Sequence, residues 1–486
     1  MSDRNNHSNS KSDRGGGGFL DAVVDRTLGR LKSAWRDIAG SARDVLAGSP
    51  RPELSGEDTR RLRERLRACL EGRGGEVAAR ARAADLGRIY LALNQVGRER
   101  FLRLIAEEFD VDHGAVGAAA DRLLDSVTLA DREAAEQGLR HALEAPRVRL
   151  LTQFNALPEG VKFLVDMRAE LIELARGDRI LAGIERDLKA LLRSWFDIGF
   201  LELRLITWNS PASLLEKLMA YEAVHEIRSW TDLKNRLEPD RRCFAFFHPR
   251  MPDEPLIFVE VALVHGMADN IHALLDETVP VIDPHAANTA VFYSISNCQR
   301  GLAGISFGDF LIKRVVDDLA AELPHIKVFT TLSPIPGFRS WLEVRLAAEE
   351  ETMLSAAERK TIAELTEGRA GKGLSGLLAD GSWHEYPAIV DAVKTPLLRL
   401  CAHYLLVEKA ANGRALDPVE HFHLANGARL ERLNWLADRS VNGQQHSYGM
   451  MINYVYRLDK IEENHQSYNE SGLVTASTAI KSLARI

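Results

Sequence analysis

The 486-residue sequence predicts an all-α helical bundle followed by a mixed α/β domain with helical insertions. Three observations predict it. From about Pro52 to Phe196, apolar residues recur at helical spacing in an Ala-, Leu-, Arg- and Glu-rich background, as in LGRIYLALNQVGRERFLRLIAEEF and FLVDMRAELIELA. After Trp195-Phe196-Asp197-Ile198-Gly199 the character changes, and strand-like runs appear: CFAFFHP, LIFVEVALV, AVFYSIS and KVFTTLS. Helical patterns alternate with those runs, and Leu346 to Thr395 reads as a further helical insertion. A chain this long exceeds one typical domain. The boundaries fall at 51–199 for the helical part and 200–486 for the α/β part.

Residues 1–50 open with MSDRNNHSNSKSDRGGGG, which lacks the apolar core of a signal peptide and reads as a disordered tail. Phe19 to Ala47 has the pattern of an amphipathic helix, but Asp21, Asp25 and Asp37 argue against a transit peptide, so a cytoplasmic location is expected. Hydrophobic content of 45% and charged content of 27% are those of an ordinary globular protein. A net charge of -7 argues against non-specific nucleic-acid binding. The best apolar run, LIFVEVALV, is too short to cross a membrane and contains Glu260. Cys69, Cys243, Cys298 and Cys401 are scattered without a CxxC pair or metal-ligand spacing, so reduced thiols and no metal site are expected. The turn GRAGKGLSG lacks the GxxxxGK[ST] pattern and is not a P-loop. Charges along the bundle helices read as a solvated face, and their amphipathic pattern suggests self-association.

The densest chemistry lies between Val291 and Trp341. Val291 to Ile295 reads as a buried strand, and a Gly-rich loop with Gly301, Gly304 and Gly308 follows. A helix then starts, with Phe310, Leu311, Val315, Val316 and Leu319 on its apolar face. Strand, glycines and helix start in that order put bare N–H groups and a positive dipole end where an anion can sit. The loop, Gln299 to Gly308, is not GxGxxG, so a dinucleotide fold is not expected. A second strand, Val328 to Leu332, delivers Ser333 into a loop stiffened by Pro334 and Pro336. Ser333 is not in a GxSxG elbow, and Pro334 removes the N–H that such an elbow uses as an oxyanion donor. An ordinary serine hydrolase is therefore disfavoured, and the segment reads equally as a rigid turn whose hydroxyl caps backbone.

In the C-terminal third, Asp417-Pro418 with Glu420 three residues after Asp417 resembles a capping box, and Asn426-Gly427 is a stop signal about two turns on. The helix between them carries His421 and His423. Two positions are about 200° apart around a helix, so only one histidine faces a given site. A lone histidine is as a rule structural, but Tyr448, Asn453, Tyr454 and Tyr456 lie just downstream and can orient an imidazole.

Together these blocks resemble the malonyl-CoA decarboxylase family. The matching residues are FYSISNCQRGLAGISFGDFLIKRVV (292–316), LSPIPGFRSWL (332–342), HYLLVEK (403–409) and ALDPVEHFHLANGARLERLNWLADRS (415–440). Weaker agreement runs through LPEGVKFLVDMRAELI (157–172) and ITWNSPASLLEKLMAYEAVHEI (206–227). The resemblance implies a helical N-terminal domain used in homo-oligomerisation, as dimer or tetramer, and a GNAT-like catalytic domain. It implies conversion of malonyl-CoA to acetyl-CoA and carbon dioxide with no metal or organic cofactor. The family's catalytic serine falls on Ser333, its histidine on His423, and a tyrosine near the site on Tyr456. The CoA-binding stretch maps to Ala303, Gly304, Ile305, Ser306, Phe307, Gly308 and Asp309, led in by Gln299 and Gly301. One departure is Ser306, where other branches of the family can carry an acidic residue. The alternative is a GNAT-type N-acyltransferase, which would share the fold and the loop but need an amine acceptor.

Overall fold

Apolar residues three and four apart give residues 50–199, among those described, eight helices: α1 (Gly56–Leu70), α2 (Gly75–Ala92), α3 (Gln95–Glu108), α4 (His113–Leu124), α5 (Leu129–Ala142), α6 (Pro146–Asn155), α7 (Gly160–Leu174) and α8 (Arg179–Trp195). This is a computed structural model, and it describes Trp35, Ile38 and residues 50–484 apart from 72–74, 306–310 and 368–370. Helix starts follow the capping chemistry of the sequence: Asn94, Asp112, Thr128 and Asp178 each accept backbone N–H bonds at the first turn. On α8, Leu181, Ile184, Leu188 and Leu192 form one buried stripe at helical spacing. Tyr90, Phe101, Phe154 and Phe163 make an aromatic centre for the bundle. Trp35, from the region expected to precede the bundle, is fully buried in that centre and donates its indole N–H to Pro158 O. The rest of the expected tail and of the amphipathic stretch lies outside the described residues, as do Ser306, Phe307, Gly308 and Asp309.

The second part follows as expected, a mixed α/β unit with helical insertions. In chain order it contains β1 (Glu202–Ile206), α9 (Ala212–Tyr221), α10 (Trp230–Asn235), β2 (Arg241–Phe247), β3 (Ile257–Val264), α11 (Ile271–Leu274) and β4 (Thr289–Asn297). Then come α12 (Leu311–Glu322), β5 (Val328–Thr331) and β6 (Ser333–Pro334). The insertion comprises α13 (Phe338–Met353), α14 (Ala356–Thr366), α15 (Gly373–Leu378) and α16 (Pro387–Val407). The chain closes with α17 (Pro418–Ala425), β7 (Arg429–Asn434), α18 (Val441–Ser447), β8 (Met451–Tyr456), α19 (Ile461–Ser471) and α20 (Thr478–Ala484).

The strands form one sheet in the order β1-β2-β3-β4-β5-β8-β6, with β7 also paired to β8. Its pairings are antiparallel except for β4 with β5. That parallel pair runs from Thr289↔Val328 to Phe292↔Thr331, where β5 ends and β4 continues to Asn297. Along β8, the register Phe329↔Tyr456, Thr330↔Val455 and Ser333↔Ile452 shows β5 and β6 to be one strand interrupted at Thr331-Leu332. At the interruption Leu332 N–H crosses to Phe292 O on β4. The Thr331 hydroxyl then accepts from Tyr454 N–H in place of the missing ladder bond. Buried apolar residues of the bundle and of one sheet face belong to one continuous core.

Candidate active site

Strand alternation decides which side chains meet. Thr331 and Ser333 are two apart and share a face, as do Tyr454 and Tyr456 on β8. Leu332, between the first pair, points the other way, among Val291, Tyr293 and Met451. The first face receives α17, and Asp417 fastens it there. One carboxylate oxygen of Asp417 caps the helix by accepting from Val419 N–H and Glu420 N–H, and the other accepts from Gly337 N–H in the turn after Ser333. A single side chain thus starts the histidine helix and ties it to the serine loop. The capping box is only half formed, because Glu420 does not reach back. Its carboxyl is buried with neither oxygen hydrogen-bonded, and burial, with Asp417 nearby, pushes its pKa far up.

The convergence is close. Ser333 Oγ lies 3.0 Å from His423 Nε2, and His423 Nδ1 lies 2.7 Å from the Tyr456 hydroxyl. All three are buried. Ser333 donates its hydroxyl hydrogen to Thr331 Oγ1 at 2.9 Å. One hydroxyl hydrogen serves one acceptor, so His423 donates to Ser333 from Nε2. Burial lowers the His423 pKa to about 3, which leaves the imidazole neutral and Nδ1 an acceptor. Tyr456, whose pKa burial raises well above the usual phenol value, stays protonated and donates to Nδ1. The tautomer therefore follows from its neighbours: Tyr456 O–H to Nδ1, Nε2–H to Ser333, Ser333 O–H to Thr331. Tyr454 stacks on the imidazole, with centroids 4.5 Å apart at 27°. Behind it, Asn453 donates to Thr331 O at 2.6 Å and to Ala268 O at 2.9 Å.

Of the expected cluster, Tyr454 and Tyr456 reach the imidazole, and Asn453 acts through Thr331. Tyr448 does not; its ring lies under Arg339 and beside Phe338, with its hydroxyl turned to Glu343. His421 projects to the exposed side, where Nδ1 pairs with the Tyr468 hydroxyl at 2.7 Å. Thr331 is a further residue of the site that no motif marks; its signal in the sequence is the period-two relation to Ser333 at the end of a strand.

The Gly-rich loop leaves the end of β4 as a short 3-10 turn, Arg300–Leu302. Gly304 has φ +69, a left-handed conformation that favours glycine. Gly301 has another task than baring an N–H to a ligand. A Cβ there would lie 1.7 Å from Val165 O of α7, so the glycine lets the bundle touch the loop. Gln299 is turned inward, donating its side-chain N–H to Pro255 O. Ala303 and Ile305 complete the described part of the expected stretch.

Two family models match. Malonyl-CoA decarboxylase N-terminal domain covers residues 109–196, and malonyl-CoA decarboxylase C-terminal domain covers residues 199–486. The chain is 40% identical over 441 residues to the mitochondrial malonyl-CoA decarboxylase of Rattus norvegicus, covering 87% of each chain. It is 38% identical to that of Anser anser anser, covering 83% of each. Among solved structures, malonyl-CoA decarboxylase from Rhodopseudomonas palustris superposes with a TM-score of 0.80 at 41% identity, covering 87% of this chain and 99% of the other. The enzyme from Agrobacterium vitis gives 0.79 at 42% identity, covering 88% of this chain and 100% of the other.

Proposed function

Because this chain belongs to the malonyl-CoA decarboxylase family, its reaction is that of a carboxy-lyase taking malonyl-CoA to acetyl-CoA and carbon dioxide, and we propose that Ser333, His423 and Tyr456 carry the proton transfer that completes it. The observation supporting these roles is the unbroken hydrogen-bond chain from Tyr456 through His423 to Ser333 in a buried site. Breaking the bond to the malonyl carboxylate releases carbon dioxide and leaves its electron pair on the thioester, as an enolate. The thioester carbonyl is the electron sink, so the chemistry asks for no metal or organic cofactor. The site must stabilise the enolate oxygen and deliver one proton to carbon. The loop is proposed to take the CoA moiety; Ala303 N–H and Ile305 N–H are already bonded within it, to Arg300 O and Leu302 O, which leaves Gly304 N–H, among the described amides of 303–309, as a donor.

Proton delivery is assigned to His423. In the empty site, burial keeps its imidazole neutral. A malonyl carboxylate beside it favours the imidazolium, because a nearby opposite charge stabilises the charged form. Binding then takes up a proton. Once carbon dioxide leaves, the imidazolium gives its Nε2 proton to the enolate carbon, which leaves a neutral imidazole protonated at Nδ1, toward the Tyr456 oxygen. Ser333 holds the malonyl group by turning its hydroxyl hydrogen from Thr331 to it, and Tyr456 fixes the ring. The deciding experiment incubates the purified full chain with malonyl-CoA and EDTA, without any acceptor. Acetyl-CoA and carbon dioxide in equal amounts are expected. A product that appears only with an added amine would mean an acyltransferase, and no acetyl-CoA at all would sink the reading.

The same proposal divides the chain into a self-associating helical unit, 51–199, and a catalytic unit, 200–486. It is supported by the change from helices to sheet at β1 and by the exposed apolar side chains Leu124, Val127 and Leu129, on and between α4 and α5, and Leu143, just after α5. Light scattering on the purified chain tests it, a monomer counting against. Among the described residues no helix is long and apolar enough to cross a membrane. A cytoplasmic location is proposed from Asp21, Asp25 and Asp37 in the N-terminal stretch, and imaging of a C-terminally tagged chain checks it.

A further inference from the structure

The Gly-rich loop is built onto the helical bundle, and two bundle cations converge on it. Arg168 on α7 is almost fully buried. Its guanidinium pairs with Glu185 on α8 at 2.8 Å and donates to two loop carbonyls, Gly301 O at 2.5 Å and Ala303 O at 2.9 Å. In a trans peptide the carbonyl and the following N–H point in opposite directions. Holding those carbonyls toward the bundle therefore turns the N–H of Gly304 away from Arg168, whereas that of Leu302 is already given to Gln299 O at 2.9 Å. The close approach of Gly301 to Val165 O sets the same loop at a fixed distance from α7. One turn after Glu185, Lys189 extends over Gly304; a Cβ on that glycine would lie 2.9 Å from its ammonium nitrogen. Lys189 is half-buried and forms no ion pair among the described residues, whereas Lys162 and Lys217 at the same junction are each neutralised by a carboxylate. A half-buried ammonium left without a counter-charge beside the outward-turned Gly304 N–H suits a phosphate.

We propose that the helical bundle forms the second wall of the CoA site, with Lys189 binding a phosphate of the CoA moiety and Arg168 acting as the positioning residue that sets the loop and its Gly304 amide. This rests on the reading that CoA lies on the loop, and it gives the bundle a part in substrate binding beyond assembly. Hydrogen bonds to charged groups are worth enough to shift affinity about tenfold or more.

The test uses the purified full chain and two readouts: steady-state kinetics on malonyl-CoA and equilibrium binding of acetyl-CoA. Lys189→Gln is expected to raise KM and weaken acetyl-CoA binding by about tenfold, with kcat within about twofold. The penalty should shrink in high salt. Repeating the binding with 3′-dephospho acetyl-CoA locates the phosphate: a vanished penalty means the 3′-phosphate, and a persisting one the pyrophosphate. Arg168→Lys keeps the charge but loses the planar fork, and should raise KM by several-fold with kcat kept. Acetyl-CoA affinity unchanged in Lys189→Gln would overturn the phosphate role. An unchanged KM in folded Arg168→Lys would overturn the positioning role. If the wild-type chain failed to decarboxylate malonyl-CoA, the functional reading would fall, while acetyl-CoA binding would still decide the role of Lys189.

Discussion

His423→Asn separates the buried-base reasoning from the catalytic role, because each predicts its own number. In the unfolded chain the imidazole titrates near about 6.5, whereas in the folded one burial lowers it to about 3. Between those values the unfolded state binds the extra proton, so stability falls as pH falls through that window. The slope is about 1.4 kcal/mol per pH unit. From pH 6.5 to pH 5 the loss attributable to His423 is about 2 kcal/mol. Asparagine takes up no proton, and the variant lacks this component. Urea denaturation of both proteins at the two pH values should show their stability gap narrowing by about 2 kcal/mol toward the lower pH. Kinetically, removing a general acid costs about 10² to 10⁴ in rate, and kcat should fall by that much while acetyl-CoA affinity changes little. Parallel stability curves would refute the buried neutral imidazole, and near-normal turnover in a folded variant would refute its role as proton donor.

Four further outcomes follow from the same geometry. Ser333→Ala should lower kcat far more than acetyl-CoA affinity; an effect confined to affinity would make Ser333 a binding residue only. Tyr456→Phe leaves Nδ1 buried without its donor, a loss of about 1–3 kcal/mol, so kcat should drop about ten- to hundredfold with KM little changed. His421→Ala should stay within about threefold of wild type in kcat/KM, since its ring lies on the exposed side; a collapse would mean the other histidine is the donor. Binding of a non-decarboxylating malonyl-CoA analogue at pH 7 should take up about one proton, visible as a dependence of binding heat on buffer ionisation enthalpy. Acetyl-CoA, which brings no carboxylate, should show none.

Much of this was legible in linear order because the relevant periodicities are local. The α8 stripe Leu181, Ile184, Leu188 and Leu192, the buried strand around Phe292 and the short α17 with its Asp417 cap and Gly427 stop each follow from spacing within one element. The choice of His423 over His421 was also within reach, since the matched block assigns it and helix geometry allows only one of the two on a face. Glu420 shows where local rules fail. Its position signals a capping box, yet Tyr454 of β8 and Cys401 and Tyr404 of α16 lie around it and it is buried away from its cap, an outcome that a helix viewed alone cannot reveal.

The amino-acid order by itself determined the element types, the Ser333 turn, the histidine helix and the family resemblance, because propensity, capping and matched blocks act over short stretches of chain. Only the tertiary structure decided that Ser333 and His423, ninety positions apart, lie 3.0 Å from each other. It also decided that Thr331 bridges an interrupted strand, and that Arg168 and Lys189 of the bundle reach a loop more than a hundred residues on. The physical reason is that these contacts are made by non-local packing. Asp417 docking α17 on Gly337 and Gly301 admitting Val165 O each depend on two remote segments meeting, and neither segment alone carries that information.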